Sequence, residues 1–439
     1  MKPPSSLSLA TPRGGRPSAD RQSRIRAGKL GRGLGGLIVI AGLAGLPWLL
    51  PAGLLNAAIQ MLIAALFASA FGLLAGRAGM LSFGHAAYFG VGTFATVHAM
   101  KAIGGVGLLP TPLLPLVGAF AGLAIGALAG WFATQRSGTT FSMITLAIAE
   151  LVHALAPQLK GWFGGESGIS TMRMPALGLS FGSTTEVYYL TLVWVALSLA
   201  ALYALAATPM GRLTLALREN AHRLRFLGYD VHGLSVAVFA VSAMFAGVAG
   251  SLQAINNEAA NYVVFDAGVS AAVVLNAYIG GVGSFFGPAL GAALMSFFGY
   301  AVSDATQSWL LYQGALFVLV MLCLPAGLTG LFTSGARAAE RHGAASVLAL
   351  AAVALPAVLL LSAGLVFVVE VVQRLFSVDY RSLAAAAPQW PPISLFGRAW
   401  APQAFTTWLV PLALLAGGAV FTALTRRRLA RWHSEGGGA

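Results

Sequence analysis

Residues 208–233 read TPMGRLTLALRENAHRLRFLGYDVHG. This is a charged island between two long apolar runs, 187–206 and 234–255, and its setting decides how the rest of the chain is read. Arg212, Arg218, Glu219, Arg223, Arg225 and Asp230 crowd into it, whereas charged residues are only 9% of the 439-residue chain and apolar residues are 58%. Soluble domains carry about 25% charge, so the composition is that of an all-α polytopic membrane protein. The island has its own helix punctuation: Thr208 as N-cap, Pro209 at the first helical position and Gly228 as C-terminal stop. Leu213, Ala216, Leu217, Ala221, Leu224 and Leu227 recur at helical steps and form one apolar stripe. Leu215 and Phe226 lie off that stripe and, on an unbroken helix, point almost the same way beside Arg218 and His222. An amphipathic helix with two contact faces is expected, one for the membrane bundle and one for a cytosolic protein.

Outward from the island, apolar runs of bilayer-crossing kind occur near 34–50, 54–76, 84–101, 112–133, 139–157, 187–206, 234–255, 267–281, 287–303, 309–325, 346–372 and 405–424. They predict about ten core spans or re-entrant segments plus two extra C-terminal spans. The runs at 34–50, 84–101, 267–281 and 287–303 are short and read as half-helices or re-entrant segments. With the N-terminus inside, 20 of the 26 Lys and Arg fall on inner segments and six on outer ones. That bias predicts N-in and C-in and places the island in the cytosol. The net charge of +13 is then flanking charge attracted to anionic lipid, not a nucleic-acid surface. The expected organisation is a disordered basic tail at 1–33, a transmembrane domain at 34–333 and a two-helix extension at 334–439. The tail's basic region is too long for a cleaved signal peptide. Cys323 is the single cysteine, so there is no disulfide framework.

Two glycine-rich stretches interrupt the apolar pattern. GRAGMLSFGHAAYFGVG at 76–92 places Ser82, Gly84 and His85 in an apolar run, where glycine permits close packing or a helix break that lines a cavity. GGVGSFFGPALGA at 280–292, with Gly281, Gly283 and Ser284, predicts a break between Ile279 and Ala289. Both contain Phe-Gly-X-Ala, at 83–86 and 286–289, a short match of the kind internal repeats leave. FGGESGI at 163–169 predicts a tight outer turn. Glu150 stands inside a span, where an acid costs about 2.5–3.5 kcal/mol and needs a partner or a water-filled cavity. His153 lies one turn on, and Asn276 and the group Asn256, Asn257 and Glu258 are further polar candidates. Ser82, Gly84, His85, Glu150, Asn276, Gly281, Gly283 and Ser284 are therefore the candidate translocation-path residues.

No constellation supports catalysis or metal binding: acids are sparse, no histidine pair has ligand spacing, and no nucleophile elbow appears. Lys2, Lys29, Lys101 and Lys160 are the only lysines, and none completes a Walker A loop. Any ATP and Mg must be bound by another subunit, and no cofactor is expected in this chain.

The motifs together resemble the LivM type of permease subunit from branched-chain amino acid ATP-binding-cassette importers. GRAGMLSFGHAAYFGVGTF at 76–94, FSMITLAIAE at 141–150, MGRLTLALREN with LGYDV and FAVSAMFAGVAGSL across 210–252, and GGVGSFFGPALGA at 280–292 carry the likeness, in that order and spacing. The resemblance implies a bacterial inner-membrane subunit that pairs with a second permease of the LivH type. It also implies two cytosolic ATPases and an extracytoplasmic solute-binding protein. Gly211, Arg212, Ala216, Arg218, Glu219 and Gly228 would belong to the ATPase-docking loop, to which Leu215 and Phe226 are added from the helix reading. Arg223-Leu-Arg225-Phe226 and Gly228-Tyr229 depart from the family pattern there, and about 100 residues follow the point near Leu331 where such chains normally end. Urea, short amides or another small solute are alternative cargoes, and a channel or sensor module is the alternative of another class.

Overall fold

The computed structural model describes residues 36, 39–103, 110–176, 178, 180–303, 306, 308–324, 326–386, 390–395 and 398–436. The basic tail expected at 1–33 lies outside them. The chain forms two compact units, 1–55 and 56–439. The first contains the apolar helix Val39–Leu49, which leaves Val39, Trp48 and Leu49 exposed.

Each of the twelve apolar runs coincides with a helix, but not each is a full span. Among the described residues six helices are long and apolar enough to cross a membrane: Ala52–Arg77, Thr111–Ala133, Thr184–Ala207, Val231–Asn257, Ala345–Phe376 and Phe405–Arg428. A seventh arises if Trp309–Leu322 and Gly327–Glu340, bent by 43°, act as one span. Val39–Leu49, Thr139–Leu155, Ala267–Gly280 and Gly287–Ser303 are apolar but short. Of the twelve segments expected as spans or re-entrant pieces, six or seven are long and apolar enough to cross and the others are shorter or less apolar. Glycine and proline breaks divide the apolar sequence more finely than a bilayer does.

Val231–Asn257 is the central helix of the second unit, buried along most of its length. It packs on Leu114–Ala133 and His85–Ile103 through small residues. A side chain at Gly118, Gly122, Gly92 or Gly247 would collide with the facing backbone, so these helices touch main chain to main chain. Buried hydroxyls complete the contact: Thr96 and Ser251 lie 2.6 Å apart, and Thr93 donates to the Gly250 carbonyl at 3.0 Å. Without water, such bonds hold the helices together where the hydrophobic effect is weak.

Segments expected on the same side of the membrane meet one another. At the expected outer end, Ile169–Ser170 pairs antiparallel with Ala259–Ala260, and Arg173 forms an ion pair with Glu258 at 2.9 Å. There too Thr111 donates to the Met174 carbonyl and Trp194 to that of Pro112. Gly164, Gly165 and Gly168 all have positive φ, the tight turn the sequence predicts. At the opposite end, Thr134 meets His232 at 3.2 Å and Arg428 donates to the Ala349 carbonyl.

The C-terminal extension is a helix pair, Ala344–Phe376 and Phe405–Gly436, packed along its length. Gly364 fits beneath Leu415, and Gly418 beneath Leu361. Between the helices, the hairpin Ile393–Leu395 with Arg398–Trp400 builds a small core with Phe367 and Val371.

Candidate functional site

The first glycine stretch is a helix break inside the bundle. The helix Ala52–Gly72 ends in a π turn, Leu73–Arg77, after which Gly79 takes φ +71°. The chain then runs without helix through 78–84 and starts again at His85. Its course is pinned by the FSMITLAIAE segment. Ser142 donates to the Leu81 carbonyl at 2.6 Å, and the Phe83 amide donates to Thr145 Oγ1 at 3.2 Å. A Cβ on Gly84 would collide with the Thr145 carbonyl. The new helix begins beside the Ala267–Gly280 helix, where the Ala86 amide donates to Ser270 Oγ at 2.9 Å.

This start lies deep in the bundle. His85 is fully buried, and its Nε2 is 3.3 Å from Ser242, near the middle of the central helix. The Ser242 hydroxyl has one proton, and it is directed to the Ala70 carbonyl at 2.6 Å. His85 must therefore donate from Nε2, which leaves Nδ1 in the neutral ring as a bare acceptor. Phe67 stacks on the ring at 5.6 Å, and Phe71 and Tyr88 meet it edge-on. Ser82 Oγ, His85 Nδ1 and Tyr88 OH are buried without a hydrogen-bond partner among the described residues. Two hydroxyl donors and one imidazole acceptor thus flank the start of a helix in a buried setting.

The second glycine stretch breaks where the sequence predicts, between Gly280 and Gly287, and both Phe-Gly-X-Ala segments mark a helix start. Gly281, at φ +105°, packs against the Gly327 turn, and Ser284 donates to Thr329 Oγ1 at 3.1 Å. Gly283 is exposed with open space around it. This break rests on the first: Gly76 lies against the Val282 carbonyl, and Gly72 against Pro288. Gly281, Gly283 and Ser284 therefore belong to the end of the bundle rather than beside Ser82 and His85. Asn276 is half-buried, with Oδ1 unpartnered among the described residues.

Glu150 is not brought into the centre. Its neighbour Ala149 packs under Gly84, but Glu150 projects to the exposed face of Thr139–Leu155, with no ion pair or hydrogen bond among the described residues. His153 turns inward to Tyr262, ring centres 5.6 Å apart. The two side chains, one turn apart in sequence, thus differ in surroundings, Glu150 exposed and His153 half-buried. Glu258, by contrast, has its partner in Arg173.

The charged island folds as Pro209–Phe226, capped by Thr208, whose Oγ1 accepts from the Gly211 amide at 3.2 Å. At the other end the Tyr229 amide donates to the Leu224 carbonyl and the Gly228 amide to that of Arg225, a Schellman closure on Gly228 at φ +85°. One expectation fails: the helix is not continuous. Asn220 leaves helical geometry at φ −160°, ψ 95°, and its Oδ1 accepts from the Arg223 amide at 3.0 Å, restarting the helix as a second N-cap. The kink breaks the register that would align Leu215 with Phe226. Thr214, Leu217 and Leu224 are buried, while Leu227, expected on the apolar stripe, is exposed. Leu215 is 39% exposed and Phe226 91%. Arg212 and Glu219 also face outward, and Ala216 is half-buried.

Arg218 joins the island to the first break. Its Nη1 donates to the Gly76 carbonyl at 2.5 Å, and its stem lies over Gly79. The π turn and the following non-helical segment leave that carbonyl free to accept. Sequence reasoning grouped Arg218 with the outward face; the residue is exposed, and its guanidinium also reaches this carbonyl. The same reasoning missed Tyr88, Ser242, Thr145 and Ser270, small polar residues that only the fold assembles. Among the described residues no group of three His, Cys, Asp or Glu converges as a metal site.

A bundle of apolar helices, interrupted within by glycine breaks and clasped at one break by a charged helix, defines a membrane permease. Residues 53–325 match the family described as branched-chain amino acid transport system, permease component, and the chain belongs to it. It is similar to the high-affinity branched-chain amino acid transport system permease protein LivM of Salmonella typhimurium strain LT2. The two are 30% identical over 319 residues, which cover 66% of this chain and 73% of that protein. LivM of Escherichia coli K12 is 28% identical over 306 residues, covering 64% and 71%. The xylose transport system permease protein XylH of Escherichia coli K12 is more distant, 24% identical over 276 residues, covering 48% and 70%. No solved structure matches the chain. The family match stops before the C-terminal helix pair.

Proposed function

We propose that this chain is a transmembrane subunit of an inner-membrane ATP-binding-cassette importer for branched-chain amino acids, oriented N-in and C-in. It works with a second permease of the LivH type, two cytosolic ATPases that bind ATP and Mg, and an extracytoplasmic solute-binding protein. The LivM relatives support the cargo. The chemistry of the buried site agrees with it: donors at Ser82 and Tyr88 and a helix N-terminus suit a carboxylate, the His85 acceptor suits an ammonium, and the aromatic walls suit an aliphatic side chain. XylH among the relatives keeps a different small solute as the second reading.

The observation that carries the mechanism is the bond from Arg218 to Gly76. The outward residues Leu215 and Phe226 meet the ATPase. ATPase closure moves the Pro209–Phe226 helix, and Arg218 transmits the movement to the 78–84 segment that leads to Ser82 and His85. Gly281 and Ser284 serve this linkage at the second break, and Glu150 stands on a face available to the second permease.

The test is co-purification. Leu215→Asp with Phe226→Ala is expected to remove the ATPases from the purified complex while the permease remains inserted. ATPase recovery equal to wild type would exclude these residues as the docking surface.

A further inference from the structure

The C-terminal extension does not merely follow the permease; it encloses a cleft against it. Glu370, only 6% exposed, accepts from Thr306 and, at 2.9 Å, from Tyr312 through the same oxygen, Oε1. One turn away Ser308 donates to Gln373 at 2.5 Å. These bonds fix the helix Ala344–Phe376 to the end of the core, because a buried acid released from such partners would be costly. Beside them lies a cavity of about 640 Å³, within the size range of ligand pockets.

Its shape identifies an occupant. One wall is a single helix face, Val358, Leu361, Leu365, Glu370 and Arg374, which at about 1.5 Å per residue extends about 24 Å. Leu316 and Leu319 face it from the core. Such a long apolar wall suits an extended hydrocarbon chain better than a compact solute. The polar end has a definite sign: Arg374 stands exposed in the last turn of its helix, while the carboxylate one turn below is held by Tyr312 and Thr306. Arg381 lies just beyond, against the Phe376 ring. An anionic head group fits that end, and a bilayer supplies an anionic head joined to a long chain.

We propose that this cleft binds one anionic phospholipid, with an acyl chain along the 358–370 face and its phosphate at Arg374. The lipid fills the seam between extension and core, so the extension provides the permease with a lipid-dependent joint.

The experiment uses the full chain in its assembled complex. After delipidation, dioleoyl phosphatidylglycerol is added and bound lipid is counted by native mass spectrometry, with dioleoylglycerol as the probe lacking phosphate. The expected result is about one phosphatidylglycerol per permease chain and at least fivefold weaker retention of dioleoylglycerol. Arg374→Glu should lower phosphatidylglycerol retention at least fivefold, as should Leu365→Trp, which fills the cleft. A photo-cross-linking side chain at Leu319 should yield a lipid adduct. Equal retention of both probes, unchanged retention in Arg374→Glu, or cross-linking of Leu319 to the second permease would overturn the proposal.

Discussion

Arg218 and Gly76, 142 residues apart in sequence, are joined by a 2.5 Å hydrogen bond from guanidinium to carbonyl. The bond ties the charged helix Pro209–Phe226 to the point where an apolar helix gives way. The same turn carries Gly79, whose absent side chain leaves room for the arginine stem.

Gly79→Val should disturb this contact twice over. The φ of +71° suits glycine alone, and an added Cβ would lie 2.9 Å from Arg218 Cγ. A cost of about 1–3 kcal/mol is expected from the backbone strain. It should appear as a lower thermal midpoint of the purified complex, together with reduced uptake.

Glycines elsewhere should differ according to their surroundings. Gly84→Ala and Gly250→Ala would drive a methyl into the carbonyls of Thr145 and Phe89, and both variants are expected to accumulate poorly in the membrane. Gly228→Ala meets open space and bears only the left-handed strain, about 1 kcal/mol. It should insert at wild-type levels. Quantitative blotting of membrane fractions separates the two groups.

Ser82→Ala offers the opposite contrast. The hydroxyl is buried and makes no hydrogen bond among the described residues, so its removal should leave stability unchanged or slightly raised. If Ser82 contacts the solute, uptake should fall about tenfold, the effect of one lost hydrogen bond of about 1.4 kcal/mol. Normal uptake at normal stability would remove Ser82 from the path.

Much of this arrangement was legible in the sequence because it is local. The caps at Thr208 and Gly228, the break between Gly280 and Gly287 and the turn at Gly164–Gly168 each follow from residues adjacent to them. Position along a helix was legible too, since apolar runs report burial or lipid contact without reporting which. That ambiguity is why Thr139–Leu155 was counted with the full spans, whereas the other three shorter apolar helices were read as short segments. The kink at Asn220 was not legible, because a side-chain amide that recaps a helix looks like any other polar residue on a charged face. Nor was the partner of Arg218: a long cation in an amphipathic helix gives no sign that the carbonyl it will meet is set free by a π turn far earlier in the chain. The meeting of His85 with Ser242 depends on tertiary packing of two helices distant in sequence.

The most direct test of the coupling is the number of solute molecules imported per ATP hydrolysed by the Arg218→Ala complex in proteoliposomes. Because Leu215 and Phe226 still face the ATPases, hydrolysis should persist within about twofold of wild type, while import should fall at least tenfold, about 1.4 kcal/mol or more. A transport-to-hydrolysis ratio equal to that of the wild-type complex would contradict the claim that Arg218 carries the movement to the 76–84 break.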